Sequence, residues 1–434
     1  MRSIWIKRRL NVSIPLTKGG HTQSSLLITK ASSLSYRLIA LLFCLFAFTN
    51  LNAQNAQKLD SITPIRDNIG DLNEAAIRKG DFPGAIRLPG TDVSLAIGGF
   101  IKAVALYDTR YNEKNEILLP GTFSPENIYK GQTYMGAKAS RLYFDGRSTI
   151  KDIDMRGYFE MNFTGASGFN LRHAYLELSN KKGQKLLMGQ YWSLIMDLEA
   201  IPEGLVEPTI SGLPFIRLGQ IRFSTPLSKT LALSVSLEEP RNSDLKGVNM
   251  IPLNKYPLFV GSLSIDPSSI FHFSIMGMVR PMSFADLTDD SQNPATGYLS
   301  NATLIVKPND ANKLTLSGLY GSGASNYLLG ADSNTGYFDG TRTELQTQHG
   351  GFGAYRHEWN DKFRSNFAYG MFVGDEIPNN PNPHIKSSTF AFINTFYRVN
   401  KYVNIGVEWI YSAKENFNGG KFINNRFQFG IQLF

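Results

Sequence analysis

Cysteine is nearly absent: Cys44 is the only one in 434 residues, which rules out an intrachain disulfide and any thiolate metal cluster. Residues 1–53 contain no acid, yet they hold Arg2, Lys7, Arg8, Arg9, Lys18, Lys30 and Arg37. A membrane helix is missing there too, because the apolar run "LIALLFCLFAF" at 38–48 is about half of the roughly 20 residues that a span requires. Basic flank, apolar run and the small residues of "TNLNA" together form a secretory leader, with cleavage expected after Ala53. The bulky Phe43 before Cys44 argues against lipid attachment. The basic stretch is long for a leader, which leaves room for a translation start downstream of Met1.

Excess charge is lacking once the leader is set aside. The whole chain has 44 Lys and Arg against 36 Asp and Glu, and seven of the bases leave with residues 1–53, so 37 face 36. A chain so nearly neutral offers no basic footprint for nucleic acid, and no nucleic-acid partner is expected.

Helical periodicity is scarce in what remains. "TPIRDNIGDLNEAAIRKG" at 63–80 reads as one short helix, with Thr63 as N-cap, Pro64 in the first turn and Gly80 as stop. Ile62, Ile65, Ile69, Leu72 and Ala76 make a seam of two heptads, suited either to resting on the rest of the protein or to a small bundle between subunits. The expected organisation is a leader at 1–53, a periplasmic segment with this helix at 54–85 and a barrel domain at 86–434.

What the chain does have, from Val93 to Phe434, is alternation with a period of two. "VSLAIGGFIKAVALYD" (93–108), "IFHFSIMGMVR" (270–280), "YVNIGVEWIYS" (402–412) and "FQFGIQLF" (427–434) are examples among about sixteen such segments. No ordinary amphipathic helix interrupts them, so an alternating helix–strand fold is excluded, and no blade-like repeat supports a propeller. In "MRGYFEMNFTG" (155–165) both faces are rich: Met155, Phe159, Met161 and Phe163 on one, Arg156, Tyr158, Glu160 and Asn162 on the other. A sheet with lipid outside and water inside accounts for both. Tyr107, Tyr369, Trp409 and Tyr411 stand at strand ends on the apolar phase, as interface anchors do. Phe434 ends an apolar last strand, the terminal aromatic that outer-membrane barrel assembly machinery selects, although it is out of phase with the residues before it. The expected fold is all-β: a transmembrane antiparallel barrel of about 16 strands, in contact with outer-membrane lipid and a Gram-negative cell's assembly machinery.

Several stretches resemble the DcaP-like outer-membrane porins: "IRLPGTDVSLAIGGFIKAVALYD" (86–108), "ASRLYFD" (139–145), "FNLRHAYLEL" (169–178), "LLMGQYWSLIMDLEAIPEG" (186–204) and "RLGQIRFSTPL" (217–227). The resemblance implies a trimeric sixteen-stranded porin for passive diffusion of small, often carboxylated solutes. It also implies that residues 194–214 fold into the barrel as a constriction loop, carrying Asp197, Glu199, Glu203 and Glu207 and no base. Arg141, Arg156 and Arg222, with Lys102, Tyr158 and Glu160, fall on the polar phase as pore-lining residues. Acids on one wall facing arginines on the other would set up a transverse field that orients anionic solutes, and a guanidinium fork suits a carboxylate.

A structural reading stands beside each of these. Asp145, Asp154 and Glu160 are near enough in sequence to pair with the arginines and stiffen the wall, and the two readings weigh equally. Arg172 and Arg217 have no clear phase, and His173 with Tyr175 suits either a subunit contact or the lumen. Neither an enzyme nor a cofactor or metal is expected: His173, His272, His349, His357 and His384 adjoin no nucleophile motif, and the glycine-rich "GGFGAYR" and "GLYGSGAS" precede no helix. The alternatives to a porin are an adhesive or structural surface barrel with a plugged lumen, motivated by the loops at 109–136 and 321–348, and, further off, a barrel lipid hydrolase.

Overall fold

A computed structural model describes residues 78–110, 115–124, 131–288, 292–332 and 334–434. The leader and the helical seam at 62–76 lie outside the described residues. Gly80, read as a helix stop, belongs instead to a hairpin: Arg78–Lys79 pairs antiparallel with Ile86–Arg87, which pairs in turn with Ser94 and Leu95.

The sheet closes into a barrel of 16 antiparallel strands. In chain order these are β1 Ser94–Asp108, β2 Arg141–Ile150, β3 Ile153–Asn162, β4 Asn170–Asn180, β5 Lys185–Trp192, β6 Arg217–Pro226, β7 Leu231–Glu238 and β8 Leu258–Ile265. The second half comprises β9 Phe271–Asp286, β10 Gln292–Asn309, β11 Asn312–Ser322, β12 Thr347–Glu358, β13 Phe363–Gly374, β14 Ile385–Arg398, β15 Val403–Asn416 and β16 Lys421–Leu433. Ring closure comes from β16 against β1, with Arg426 opposite Asp108 and Leu433 opposite Ile101. Closure removes the unpaired edges that an open sheet would leave in lipid. Tight connections such as 151–152 and 310–311 lie at one end; the long loops 193–216, 239–257, 323–346 and 375–384 lie at the other.

Alternation sorts the side chains as the sequence implies. Ile97, Ile101, Leu176, Met188, Phe259 and Ile275 are exposed on the outer face, and so are Tyr107 near the end of its strand and Tyr369 and Trp409, which fall in mid-strand and not at strand ends. Lys102, Asp108, Asp145, Glu160, Asn301 and Asn366 are buried on the inner one. Phe434, out of phase in the sequence, meets Phe100 of the inner wall edge-on at 6.2 Å.

The lumen is not uniformly polar, as a water-filled pore would be. Across β8–β16 the inner wall carries Val260, Met276, Leu299, Phe352, Phe390 and Phe392, all buried. They pack against loop residues: Leu194 and Ile195 of 193–216, Tyr327 and Leu328 of 323–346, and Leu118 of the first loop. The two long loops also pair with each other, Leu213 O accepting from Leu329 N at 2.9 Å and Tyr327 O from Phe215 N at 3.0 Å. An apolar plug therefore fills one side of the ring, and open space is left along β2–β5. Arg280, fully buried, ties the loop end with Asp244 at 2.5 Å and Gly323 O at 2.8 Å.

An arginine on the outer face tests the lipid assignment. Ile275→Arg is expected to destabilise the folded barrel in phospholipid by about 2–4 kcal/mol if placed near the bilayer centre, read from urea unfolding followed by tryptophan fluorescence. A stability equal to wild type would contradict an outward, lipid-covered Ile275.

Candidate functional site

The open side of the lumen is built on a one-residue irregularity. Glu160 is opposite His173 and Met161 is opposite Leu171, so β4 bulges at Arg172. A bulge breaks the strict in–out alternation. Both Arg172 and His173 are therefore buried on the inner side, which settles the phase that the sequence left open.

Arg172 donates to Glu160 at 2.6 Å and to Glu207 at 2.5 Å. Arg141 reaches the same two carboxylates, Glu207 at 3.3 Å and Glu160 at 3.7 Å. Arg217 completes the group. Its guanidinium lies 3.7 Å from the centre of the Trp192 ring, and its Nε and Nη2 are buried without a hydrogen-bond partner. Three guanidiniums thus surround two carboxylates beside a cavity of about 420 Å3. Nearer the short-turn end, Arg156 grips Asp145 with two bonds of 2.9 Å, and Arg147 holds the same carboxylate. Arg222 donates to Gln220 Oε1 and to the Trp192 carbonyl, and makes no ion pair among the described residues. Tyr158 donates to Glu160 at 3.0 Å.

Loop 193–216 crosses this space because its polar atoms are claimed from all round the ring. Glu238 of β7 accepts from Ser193 Oγ and Leu194 N. Asp197 caps the 3-10 turn Leu198–Ala200 through Glu199 N at 3.0 Å, and its other oxygen accepts from Thr303 and contacts His272 Nε2 at 2.9 Å. Glu203 receives both arms of Arg364, at 2.9 and 2.6 Å. Leu205 is held at both backbone atoms, its N–H by Glu408 at 2.9 Å and its carbonyl by Lys102 at 2.8 Å. At the far wall the tip needs two glycines. Gly212 has φ +80°, and a Cβ on Gly370 would lie 2.2 Å from Ile210 Cγ2 and 2.4 Å from the Ser211 carbonyl.

The expected field between a wall of acids and a wall of arginines is therefore replaced by direct pairing. Glu203 and Glu207 are neutralised by wall arginines, and Glu199 is exposed, 3.7 Å from Lys307. Lys102 secures the loop, and Asp154 is exposed and bonded to Thr149. Glu238, Glu408, Arg364 and His272 hold the loop and carried no local signal; their partners are far away in sequence. No histidine is bonded to a serine hydroxyl among the described residues. Ser300 and His349 share the outer face, but Tyr320 stands between them in the register.

The profile of the DcaP outer membrane protein family matches residues 112–427. The chain belongs to that family. The match runs through both halves of the barrel, beyond the first-half stretches that carry the visible resemblance. The fold agrees: the outer-membrane channel DcaP of Acinetobacter baumannii is 21% identical, with 79% of this chain and 97% of that one covered at a TM-score of 0.70. An anion-selective porin from Comamonas acidovorans (10% identity, 79% and 99% covered, TM-score 0.53) and Salmonella typhi OmpF (11%, 79% and 98%, 0.53) share the architecture. No curated protein matches the sequence. Membership places this DcaP-family chain in the outer membrane of a Gram-negative cell, among channels and porins.

In this DcaP-family barrel, burial drives the carboxyls of Glu203 and Glu207 upward, but the surrounding arginines outweigh it and hold both below the ordinary glutamate range. Asp197 is held low in the same way by its bonds to His272 and Thr303. A pKa depressed by docking means that docking is stabilised above the free carboxylate pKa and weakens as pH falls through the depressed value. Loop protection against protease is therefore expected to hold at about pH 6 to 5 and to fail only below about pH 4. Gly370→Val should dislodge the tip at neutral pH, seen as faster cleavage within 193–216 and a larger, noisier single-channel conductance.

Proposed function

We propose that this protein is a passive outer-membrane porin for small hydrophilic solutes, with a preference for organic anions such as carboxylates, working as a homotrimer. The observation that carries the reading is the charge imbalance beside the open cavity: Arg141 and Arg172, which line it, and Arg217 behind them against only Glu160 and Glu207. A carboxylate entering there meets a wall with more guanidiniums than carboxylates, held in fixed orientation, which offsets part of the cost of its own dehydration. Below it, Arg222 adds a cation with only neutral partners. The Comamonas porin, built on the same architecture, is anion-selective, and that selectivity is consistent with this chemistry.

The apolar plug favours a second reading, a surface barrel with a sealed lumen. Conductance separates the two. Protein reconstituted in planar bilayers is expected to open in discrete steps and, in a potassium chloride gradient, to give a reversal potential on the anion side. Arg217→Ala, Arg222→Ala and Arg156→Ala should each move that potential toward cation preference, the last by leaving Asp145 with one arginine fewer. Silent bilayers would favour the sealed barrel, and an unmoved reversal potential in all three variants would remove the arginines from selectivity. Mass measurement in detergent tests the trimer.

A further inference from the structure

The apolar rings on the plugged side of the lumen are covered by loops; a second set of rings stands on the open side, with Tyr158 and Tyr191 half-exposed and His173, Tyr175 and Trp192 buried among them. Along β2–β5, Tyr143 packs on Tyr158 at 5.8 Å, Tyr158 on Tyr175 at 5.5 Å and Tyr175 on Tyr191 at 4.9 Å. The run continues through His173, 5.0 Å from Tyr191, and then Trp192, 5.6 Å from His173. Rings of this run line the 420 Å3 cavity itself. Arginines lie over them: Arg156 is 4.7 Å from the Tyr158 ring, Arg222 5.4 Å from Tyr191 and Arg217 3.7 Å from Trp192. The same cavity is lined by the carboxylates of Glu160 and Glu207.

We propose that this wall is a stacking track that makes the channel favour ring-shaped sugar acids, hexuronates in their pyranose form, over open-chain acids of the same size and charge. The inference rests on the anion-porin reading and adds the shape of the anion. Aromatic faces carry a negative quadrupole and attract positively polarised edges; the C–H face of a pyranose, polarised by its ring and hydroxyl oxygens, is such a partner. The arginines supply donors for the solute carboxylate. Glu160 and Glu207 supply acceptors, which only a solute bearing hydroxyl donors can use. An aryl carboxylate has the flat face and no hydroxyl to give; a short aliphatic acid has neither. A hexuronate satisfies all three wall chemistries at once.

The test is block of chloride current in planar bilayers by D-glucuronate, D-gluconate and benzoate, with the chloride-over-potassium preference measured on the same channels. Gluconate has six carbons and one charge like glucuronate and lacks the ring. Glucuronate should half-block at a concentration about fivefold below gluconate, the worth of one aromatic contact, and also below benzoate. Tyr191→Leu and Tyr175→Leu should bring glucuronate and gluconate together. Tyr369→Leu, on the outer face, should leave them apart and controls for folding. Equal block by glucuronate and gluconate, strongest block by benzoate, or undiminished discrimination in both inner variants would overturn the track. Anion preference without ring discrimination overturns this inference alone, and a wild-type channel without anion preference overturns the reading beneath it.

Discussion

A single carboxylate in the middle of the barrel, Glu207, bridges Arg172 and Arg141, and the shape of the lumen depends on that bridge. The loop that carries it would otherwise have no reason to cross a hydrated ring. Its backbone would lose water, and the wall arginines would stand close together with nothing between them. Breaking a buried pair of this kind by removing one partner typically costs about 3–5 kcal/mol, because the other charge is left stranded. The contacts of Asp197, Glu203 and Leu205 act in the same sense, each tying the loop to a different part of the wall. A loop tied at several separate places can move only by losing several contacts together, which gives a constriction of defined size on a chain segment that has no regular sheet of its own.

The pairing also divides the lumen. On one side, apolar loop residues meet apolar wall residues, and burial of hydrocarbon holds the loops in place. On the other, arginines, tyrosines and two glutamates face open space. The cross-section is thus plugged on one side and holds an open cavity on the other. The loop is the partition. Its hydrophobic residues Leu194, Ile195, Ile210 and Leu213 pack into the plugged half, while Glu207 and Val206 line the open one.

Neutralising the loop acids has an electrical consequence. Once Glu203 and Glu207 are spent on arginines, Arg217 and Arg222 are among the cations that make no ion pair among the described residues, as are Lys102 and Lys414, each bound to a main-chain carbonyl. Neither arginine stands alone chemically. Arg217 rests on Trp192, and Arg222 is braced by Gln220 and a main-chain carbonyl, so both are oriented before a solute arrives and lose little side-chain freedom on meeting one.

Much of this was legible in the chain. The period-two pattern gives the barrel and its inner and outer faces, and it sets Arg141, Arg156, Arg222, Tyr158 and Glu160 on the polar phase as an expectation. Lys102 was placed there too, yet it is occupied by the Leu205 carbonyl. Arg172 has no clear phase in the sequence, and His173 suits two places there, because one inserted residue at the bulge turns both inward. Glu238, Glu408 and Arg364, and the loop-holding role of His272, carry no signal in the sequence around them.

The difference has a physical cause. Which side of a strand is greasy is a property of neighbouring residues and the backbone pleat, so the sequence alone determined that this chain is a ring with lipid outside and polar groups within. Which polar group is spent and which is available depends on contacts between residues far apart: 35 positions for Arg172 and Glu207, 161 for Arg364 and Glu203, 203 for Leu205 and Glu408. Only the closed barrel brings such partners within reach, and so only the tertiary structure decided that the loop acids are paired, that half the lumen is filled, and that Arg217 rests on Trp192 with no ion pair among the described residues.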